Sequence, residues 1–197
     1  MTKEILIFDN YDSFTYNLCN LLKSERAEYN YKILRKNDKE VFTTKFDVLI
    51  ISPGPMTPDK TGNLKKIFET KIIPGKIPTL GICLGMQFIA QYFNALVEKS
   101  NYPKHGIAVN IEHSNKDIFN GIPNYFKIAR YNSLEVSLNS DVKNKIEVLA
   151  YETGNDAIMA LRHKHFPFVG LQFHPESFLT EYGNILIDNF FKIYVEN

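Results

Sequence analysis

The fold is indicated most directly by residues 79–93, which read TLGICLGMQFIAQYF. The run from Thr79 to Ile82 is short and apolar, which is typical of a buried strand, and the residues after Cys83 are good helix formers with one apolar face. A strand that leads straight into a helix is half of a repeating βα unit. We therefore predict that Cys83 lies at a strand-to-helix junction.

The rest of the chain supports an α/β fold. Further buried strands are predicted at residues 5–9 and 47–52. One helix is predicted at about 13–24 and contains Cys19. A second is predicted at about 62–73 and ends before Pro74-Gly75. Short segments between residues 96 and 163 predict antiparallel hairpins, followed by a strand at 168–172 and a closing helix at about 180–194. We expect one α/β domain with a central, mainly parallel sheet, helices on both faces and an antiparallel extension.

Composition excludes several classes of protein. Lys and Arg total 23 against 22 Asp and Glu, so the basic excess of a nucleic-acid-binding protein is absent. No run approaches the roughly 20 apolar residues of a membrane helix, and the apolar run at residues 5–8 is too short for a signal peptide. Two cysteines in 197 residues are not a disulfide framework, which favours the reducing cytoplasm.

Cys83 is a candidate nucleophile. Gly81-Ile82-Cys83-Leu84-Gly85 has the G-x-nucleophile-x-G form of a nucleophile elbow, in which a sharp turn exposes the reactive atom. Glycines on both sides leave room for the turn, and the helix N-terminus favours a thiolate. The alternative is an inert cysteine in the core, which is common for a free cysteine.

A thiol nucleophile needs a neighbouring base, and His174-Pro175-Glu176 supplies one at the end of the last predicted strand. Side chains at i and i+2 of an extended segment point the same way, so Glu176 can orient one imidazole nitrogen while the other faces the thiol. Taken alone, the pair would be interpreted as a surface His and Glu at a strand end rather than as catalytic residues. Together with the elbow it predicts a catalytic triad of Cys83, His174 and Glu176.

Acyl transfer also needs backbone N–H donors for the developing oxyanion. Leu84, the residue after the nucleophile, is one candidate, and Gly54 in Ser52-Pro53-Gly54-Pro55 is the other. A rigid turn at the end of a strand is the alternative interpretation of that loop. Residues just beyond strand carboxyl ends meet in one crevice of an open α/β sheet, which is why both loops are candidates.

The remaining histidines are predicted to have no metal-binding role. His163 and His165 could be imagined as metal ligands with His174, but no carboxylate or cysteine follows at zinc-site spacing, and both are predicted to be exposed, as is common for histidines at strand ends. His105 and His113 are likewise predicted to be surface residues. We expect no metal in this chain.

Five motifs carry a resemblance to a known family: DNYDSFTYNL at residues 9–18, SPGP at 52–55, GICLGMQ at 81–87, RYNSL at 130–134 and QFHPES at 172–177. Together they resemble a class I (triad) glutamine amidotransferase, and the first motif resembles the small subunits of anthranilate and aminodeoxychorismate synthases. The resemblance implies one amidotransferase domain over residues 1–197, with flavodoxin-like layers, that hydrolyses glutamine through a thioester on Cys83.

The resemblance also implies roles for other residues and for a partner. Gly54 and Leu84 would polarise the glutamine amide oxygen, and Gln87, Ser133 and Leu134 would hold the α-amino and carboxylate end. Ammonia would pass to a chorismate-binding synthase subunit that makes anthranilate or 4-amino-4-deoxychorismate. This subunit would need no cofactor, whereas the partner would use magnesium.

Three positions depart from the family pattern: Met86 replaces a histidine, Ile107 a lysine and Asn132 a histidine. The last two bear on partner and substrate fit rather than on chemistry. Three alternative functions remain at this stage. The chain could serve another synthetase such as GMP synthetase, act as a γ-glutamyl cysteine hydrolase without a partner, or be a non-catalytic binding module.

Overall fold

The computed structural model describes residues 2–196, which contain a nine-stranded sheet with the order β2-β1-β3-β4-β9-β8-β7-β5-β6. The first five strands of that order are mutually parallel and the rest pair antiparallel. The strands are β1 Glu4–Asp9, β2 Asn30–Arg35, β3 Val48–Ile51, β4 Thr79–Ile82, β5 Leu96–His113, β6 Tyr125–Ser137, β7 Ile146–Glu152, β8 Ile158–His163 and β9 Phe168–Leu171. The predicted fold class is confirmed.

Helices cover both faces of this sheet. They are α1 Thr15–Glu25, α2 Leu64–Ile67, α3 Ile73–Gly75, α4 Leu84–Tyr92, α5 Ser140–Lys143 and α6 Gly183–Tyr194, with a π-helical turn at Phe68–Ile72 and 3₁₀ turns at Lys39–Phe42, Pro58–Lys60 and Asp117–Phe119. Helices α1 and α6 bury their apolar sides on one face, and α2, the π turn and α4 on the other. The alternation along β1 shows the division, because Ile5 and Ile7 join the first core and Leu6 and Phe8 the second.

Two local predictions were wrong. Strand β2 was not predicted, because it lies at the sheet edge and its NYKILR sequence is largely accessible, with Leu34 its one buried residue. The second helix does not end before Pro74, since the helical path runs on to Gly75 and stops at Lys76, which has a left-handed φ of 47°. Pro74 is the second residue of α3, which follows directly after the π turn.

The antiparallel half places residues beside the end of β4. Strands β5 and β6 pair along most of their length, with register shifts between Lys99 and Lys104 and between His105 and Ile107. Such bulges bend a strand pair. The bent segment carries Tyr131 to Leu134 to the region of Cys83, where they line a common cleft. None of the helices described in residues 2–196 has the length and apolar character needed to cross a bilayer.

Candidate active site

Cys83 occupies a strained turn between β4 and α4. Its φ of 51° and ψ of −101° lie outside the regions that L-residues normally adopt. The strain is held by the surroundings, since the Cys83 N–H donates to Leu171 O at 2.7 Å and the Cys83 carbonyl accepts from Gln87 N at 3.1 Å. The predicted strand-to-helix junction is confirmed.

The two glycines of the elbow are required by close backbone contacts. A Cβ on Gly81 would lie 2.4 Å from the carbonyl carbon of Gly85, and a Cβ on Gly85 would lie 2.7 Å from Ile51 O. Both contacts are shorter than real Cβ atoms allow. The first turn of α4 therefore rests directly on β3 and β4.

We expect Gly81→Ala to lower stability by about 1–3 kcal/mol, because the added methyl meets backbone that cannot move without displacing α4. For a chain of this size the thermal midpoint should fall by roughly 2–4 °C per kcal/mol, as measured by circular dichroism. Gly75→Ala is the matched control, since its Cβ would meet only side-chain atoms of Ile77, at 3.2 and 3.5 Å. Equal losses in the two variants would contradict the packing argument.

His174 and Glu176 form a buried pair in the loop after β9. His174 Nδ1 lies 2.7 Å from Glu176 Oε1, and the two side chains are 3% and 0% exposed. Burial by itself would lower the pKa of His174, but Cys83 and Glu176 outweigh burial and raise that pKa to about 10. Within residues 2–196 the other nitrogen, Nε2, is buried without a well-aligned hydrogen-bond partner. It is thus the nitrogen left to meet the thiol.

Two aromatic rings fix the imidazole of His174. Phe14 packs edge-on to it at 5.4 Å between ring centroids, and Tyr131 does so at 4.8 Å. The backbone is held as well, because Thr180 Oγ1 donates to His174 O at 2.6 Å and accepts from Ala129 N at 2.9 Å. The motifs at residues 9–18 and 130–134 thus support the triad through packing.

A cleft of about 210 Å³ opens beside Cys83. It is smaller than the roughly 300–1,000 Å³ of sites for drug-sized ligands, which suits a single amino acid. Its lining includes four of the five residues predicted to bind glutamine, and the full set is Gly54, Pro55, Met56, Cys83, Gln87, His105, Tyr131, Asn132, Ser133 and Leu134.

The remaining predicted ligand residue, Leu84, lies against Gly54. A Cβ on Gly54 would come within 3.0 Å of the Leu84 side chain and 2.5 Å of Asn10 Cβ, so only glycine fits. Among residues 2–196, no protein acceptor takes a hydrogen bond from the N–H of Gly54 or Leu84. Both donors are therefore available to an oxyanion, although that role itself stays a prediction.

The far wall of the cleft is held by a buried polar network. Asn132 accepts from Arg130 Nε at 2.9 Å and donates to Leu134 O at 2.8 Å, while Arg130 pairs with the buried carboxylate of Glu152. Asn132, which departs from the family pattern, thus makes specific contacts of its own. Ser133 Oγ lies 2.8 Å from His105 Nε2.

Sequence reasoning did not single out Gln172, Phe14 or Tyr131 as site residues. Gln172 is fully buried, and its amide nitrogen lies 3.5 Å from Cys83 Sγ. One signal was present, because Gln172 is two residues before His174 and the alternation of an extended segment sends both side chains the same way. Phe14 and Tyr131 gave no such signal.

The prediction that His113 and His163 are surface residues was wrong. Both are buried, at 7% and 5% exposure. His113 stacks on Phe119 at 4.6 Å, and His163 packs on Phe93 at 4.2 Å. Burial lowers the pKa of His113, and together with neighbouring positive charge lowers that of His163 to about 4, so both rings are neutral core groups.

His105 and His165 are exposed, as predicted. Within residues 2–196 no group of three or more His, Cys, Asp or Glu side chains could hold a metal ion.

Comparison with known proteins places this site in a family. Residues 6–194 match the family described as glutamine amidotransferase class-I. The aminodeoxychorismate/anthranilate synthase component 2 of Bacillus subtilis is 40% identical over 195 residues, covering 96% of each chain. The anthranilate synthase component 2 of Leptospira biflexa is 39% identical, covering 95% of this chain and 98% of that one.

A solved structure has the same fold over the whole chain. It is a Thermoplasma acidophilum protein described as "a putative gmp synthase subunit a protein", with a TM-score of 0.83 and 26% identity over 100% of this chain and 96% of that one. The family match covers nearly the whole sequence and coincides with the elbow, the His-Glu pair and the cleft. The chain therefore belongs to the class I glutamine amidotransferases.

Proposed function

We propose that the chain is the glutamine-hydrolysing subunit of an anthranilate or aminodeoxychorismate synthase. The observation that carries the proposal is the strained elbow of Cys83 beside the buried His174–Glu176 pair, at the edge of a cleft sized for one amino acid. Purified chain should release ammonia and glutamate from L-glutamine, alone or with a chorismate-binding subunit. Absence of glutaminase activity under both conditions would refute the proposal.

The chemistry follows from this arrangement. The Cys83 thiolate attacks the side-chain amide carbon of glutamine, and the N–H groups of Gly54 and Leu84 stabilise the oxyanion. His174, protonated and held by Glu176, gives its proton to the departing nitrogen, and ammonia leaves as the thioester forms. His174 then takes a proton from water, whose oxygen attacks the thioester and frees glutamate.

The cleft wall fixes the other end of glutamine. Gln87 donates its amide hydrogens to Leu134 O and Gln172 Oε1, and nothing in residues 2–196 donates to its own oxygen. That oxygen can accept from the ligand α-ammonium. Ser133 and Leu134 complete the contact with the α-amino and carboxylate groups.

Ammonia would be used by a second subunit that binds chorismate. Relatives that match nearly end to end at 39–40% identity are named component 2 of anthranilate or aminodeoxychorismate synthase. Large apolar side chains are also exposed in loops of this end of the sheet, with Met56 56% and Phe178 92% exposed. We expect co-purification with a synthase subunit in the cytoplasm and formation of an aminated product of chorismate, either anthranilate or 4-amino-4-deoxychorismate.

The alternative functions are weaker. The structure named as a GMP synthase subunit is 26% identical, well below the component 2 relatives. A hydrolase acting on γ-glutamyl peptides would need space beyond the amide, and the cleft is small. A binding module does not require a strained elbow at Cys83 beside the buried His174–Glu176 pair.

Glu176→Gln should slow glutaminase turnover by roughly 10²-fold, less than loss of the nucleophile, because it removes the charge that orients and stabilises the imidazolium. The neutral side chain also withdraws one cause of the raised pKa of His174. The pH at which the imidazolium is lost should therefore fall, and the alkaline limb of the pH profile should move to lower pH. Steady-state rates between pH 6 and 10 measure both effects. An unchanged rate and profile would show that Glu176 is not the third member.

A further inference from the structure

Gln172 joins the nucleophile to the wall of the cleft. It follows directly after β9, and its side chain is fully buried between Cys83 and Gln87. Its Nε2 lies 3.5 Å from Cys83 Sγ, and its Oε1 accepts from Gln87 Nε2 at 3.0 Å. The sulfur therefore has a polar neighbour besides His174.

The orientation of the Gln172 amide follows from a backbone carbonyl, which can accept a hydrogen bond but cannot donate one. Leu134 O is a carbonyl and can only accept, so the group of Gln87 that lies 3.2 Å from it must be the amino group. The same amino group faces Gln172, which must then present its oxygen. The amino group of Gln172 is thereby directed to the sulfur.

The carbonyl oxygen of Leu134, from which this series of hydrogen bonds begins, is itself held in place. Leu134 O also accepts from Asn132, and Asn132 is anchored by Arg130, which is fully buried. The cleft wall is thus connected to the sulfur through hydrogen bonds of two glutamine side chains, Gln87 and Gln172.

We propose that Gln172 donates a hydrogen bond to the Cys83 thiolate, fixing the sulfur for attack and linking its position to the wall that receives the ligand. The proposal rests on the proposed role of Cys83 as nucleophile. A donor stabilises a charged acceptor more than a neutral one, so this bond favours thiolate over thiol. Methionine or glutamate at position 172 would remove it.

Other titratable groups lie near the sulfur, and a test of Gln172 must leave them unchanged. His174 and Glu176 face it from the loop after β9, and Asp12, which interacts with both, approaches from the loop before α1. His105 and Tyr131 line the cleft. Substitution of Gln172 leaves all five in place.

The test is the pH dependence of Cys83 alkylation by iodoacetamide in the intact chain without glutamine, followed by mass spectrometry of the Cys83 peptide. Gln172→Met removes the donor at similar volume and should move the midpoint up by about one pH unit, giving roughly tenfold slower alkylation below the midpoint. Gln172→Glu keeps an acceptor for Gln87 but replaces the donor by a carboxylate, and should shift the midpoint at least as far.

Gln91→Met, the same change at an exposed glutamine of α4, is the matched control and should leave the profile unchanged. Circular dichroism establishes whether each variant is folded. If Gln172→Met does not fold, the midpoint of Gln172→Glu is the one compared with that of the original chain. Midpoints equal to that of the original chain in the folded variants would overturn the proposal. Glutaminase activity of the original chain is measured separately, so failure of the proposed function is distinguishable.

Discussion

Cys83→Ala should abolish glutamine-dependent synthesis by the complex, with a residual rate at least 10⁴-fold lower, while ammonia-dependent synthesis stays within about twofold of the original. Only acyl transfer needs the sulfur, because ammonia supplied from solution bypasses the thioester. The measurement is product formation by the reconstituted complex with glutamine or with an ammonium salt at alkaline pH.

The substitution is mild for the fold. Alanine keeps the Cβ of the elbow, and the backbone bonds of Cys83 to Leu171 and Gln87 do not involve the side chain. Cys19→Ala is the matched control, since Cys19 is also a buried free cysteine but lies in α1 and packs in the core. Equal loss of both activities in Cys83→Ala would overturn the mechanism.

Glu152→Gln should have the largest effect on stability. Arg130 is fully buried and Glu152 is 3% exposed, and Lys104 shares the same carboxylate. Removing one partner of a buried ion pair leaves an unpaired buried charge, at a cost of about 3–5 kcal/mol. Glu147→Gln is the control, because Glu147 and its partner Arg162 are 36% and 38% exposed, and such pairs contribute roughly 0–1 kcal/mol. Urea unfolding of both variants measures the difference.

The loss of stability caused by Glu152→Gln should depend on pH in a defined direction. Burial opposes ionisation of Glu152, but Lys104, Asn155 and Arg130 outweigh it and hold its pKa below the usual 4.5. When folding lowers the pKa of a carboxyl group, the group stabilises the folded state at pH values above its unfolded-state pKa. This stabilisation is lost as the pH falls through the folded-state pKa. The difference in free energy of unfolding between the original chain and Glu152→Gln should therefore be at its largest at pH 7 and become smaller below pH 4. A gap that is constant over this range would show that charge is not the cause.

Local patterns in the sequence were sufficient for the elbow, the His174-Pro175-Glu176 segment and most of the regular structure. Each of these depends on contacts within a few residues. Gly81 and Gly85 are four positions apart and pack on each other, and His174 and Glu176 alternate along one extended segment. Strands β1, β3 and β4 were predictable because central parallel strands are buried on both faces and read as continuous apolar runs.

Tertiary structure alone decided which distant residues meet. Gln172 reaches Cys83 across 89 positions because β9 inserts beside β4 in the sheet order, and no local period encodes that neighbour. The same holds for Phe14 and Tyr131, which come from opposite halves of the chain to enclose His174. His113 and His163 were mistaken for surface residues because burial depends on aromatic rings brought in by other strands and turns. The sequence thus determined the reactive groups and their local geometry, whereas long-range strand pairing decided the surroundings that hold them.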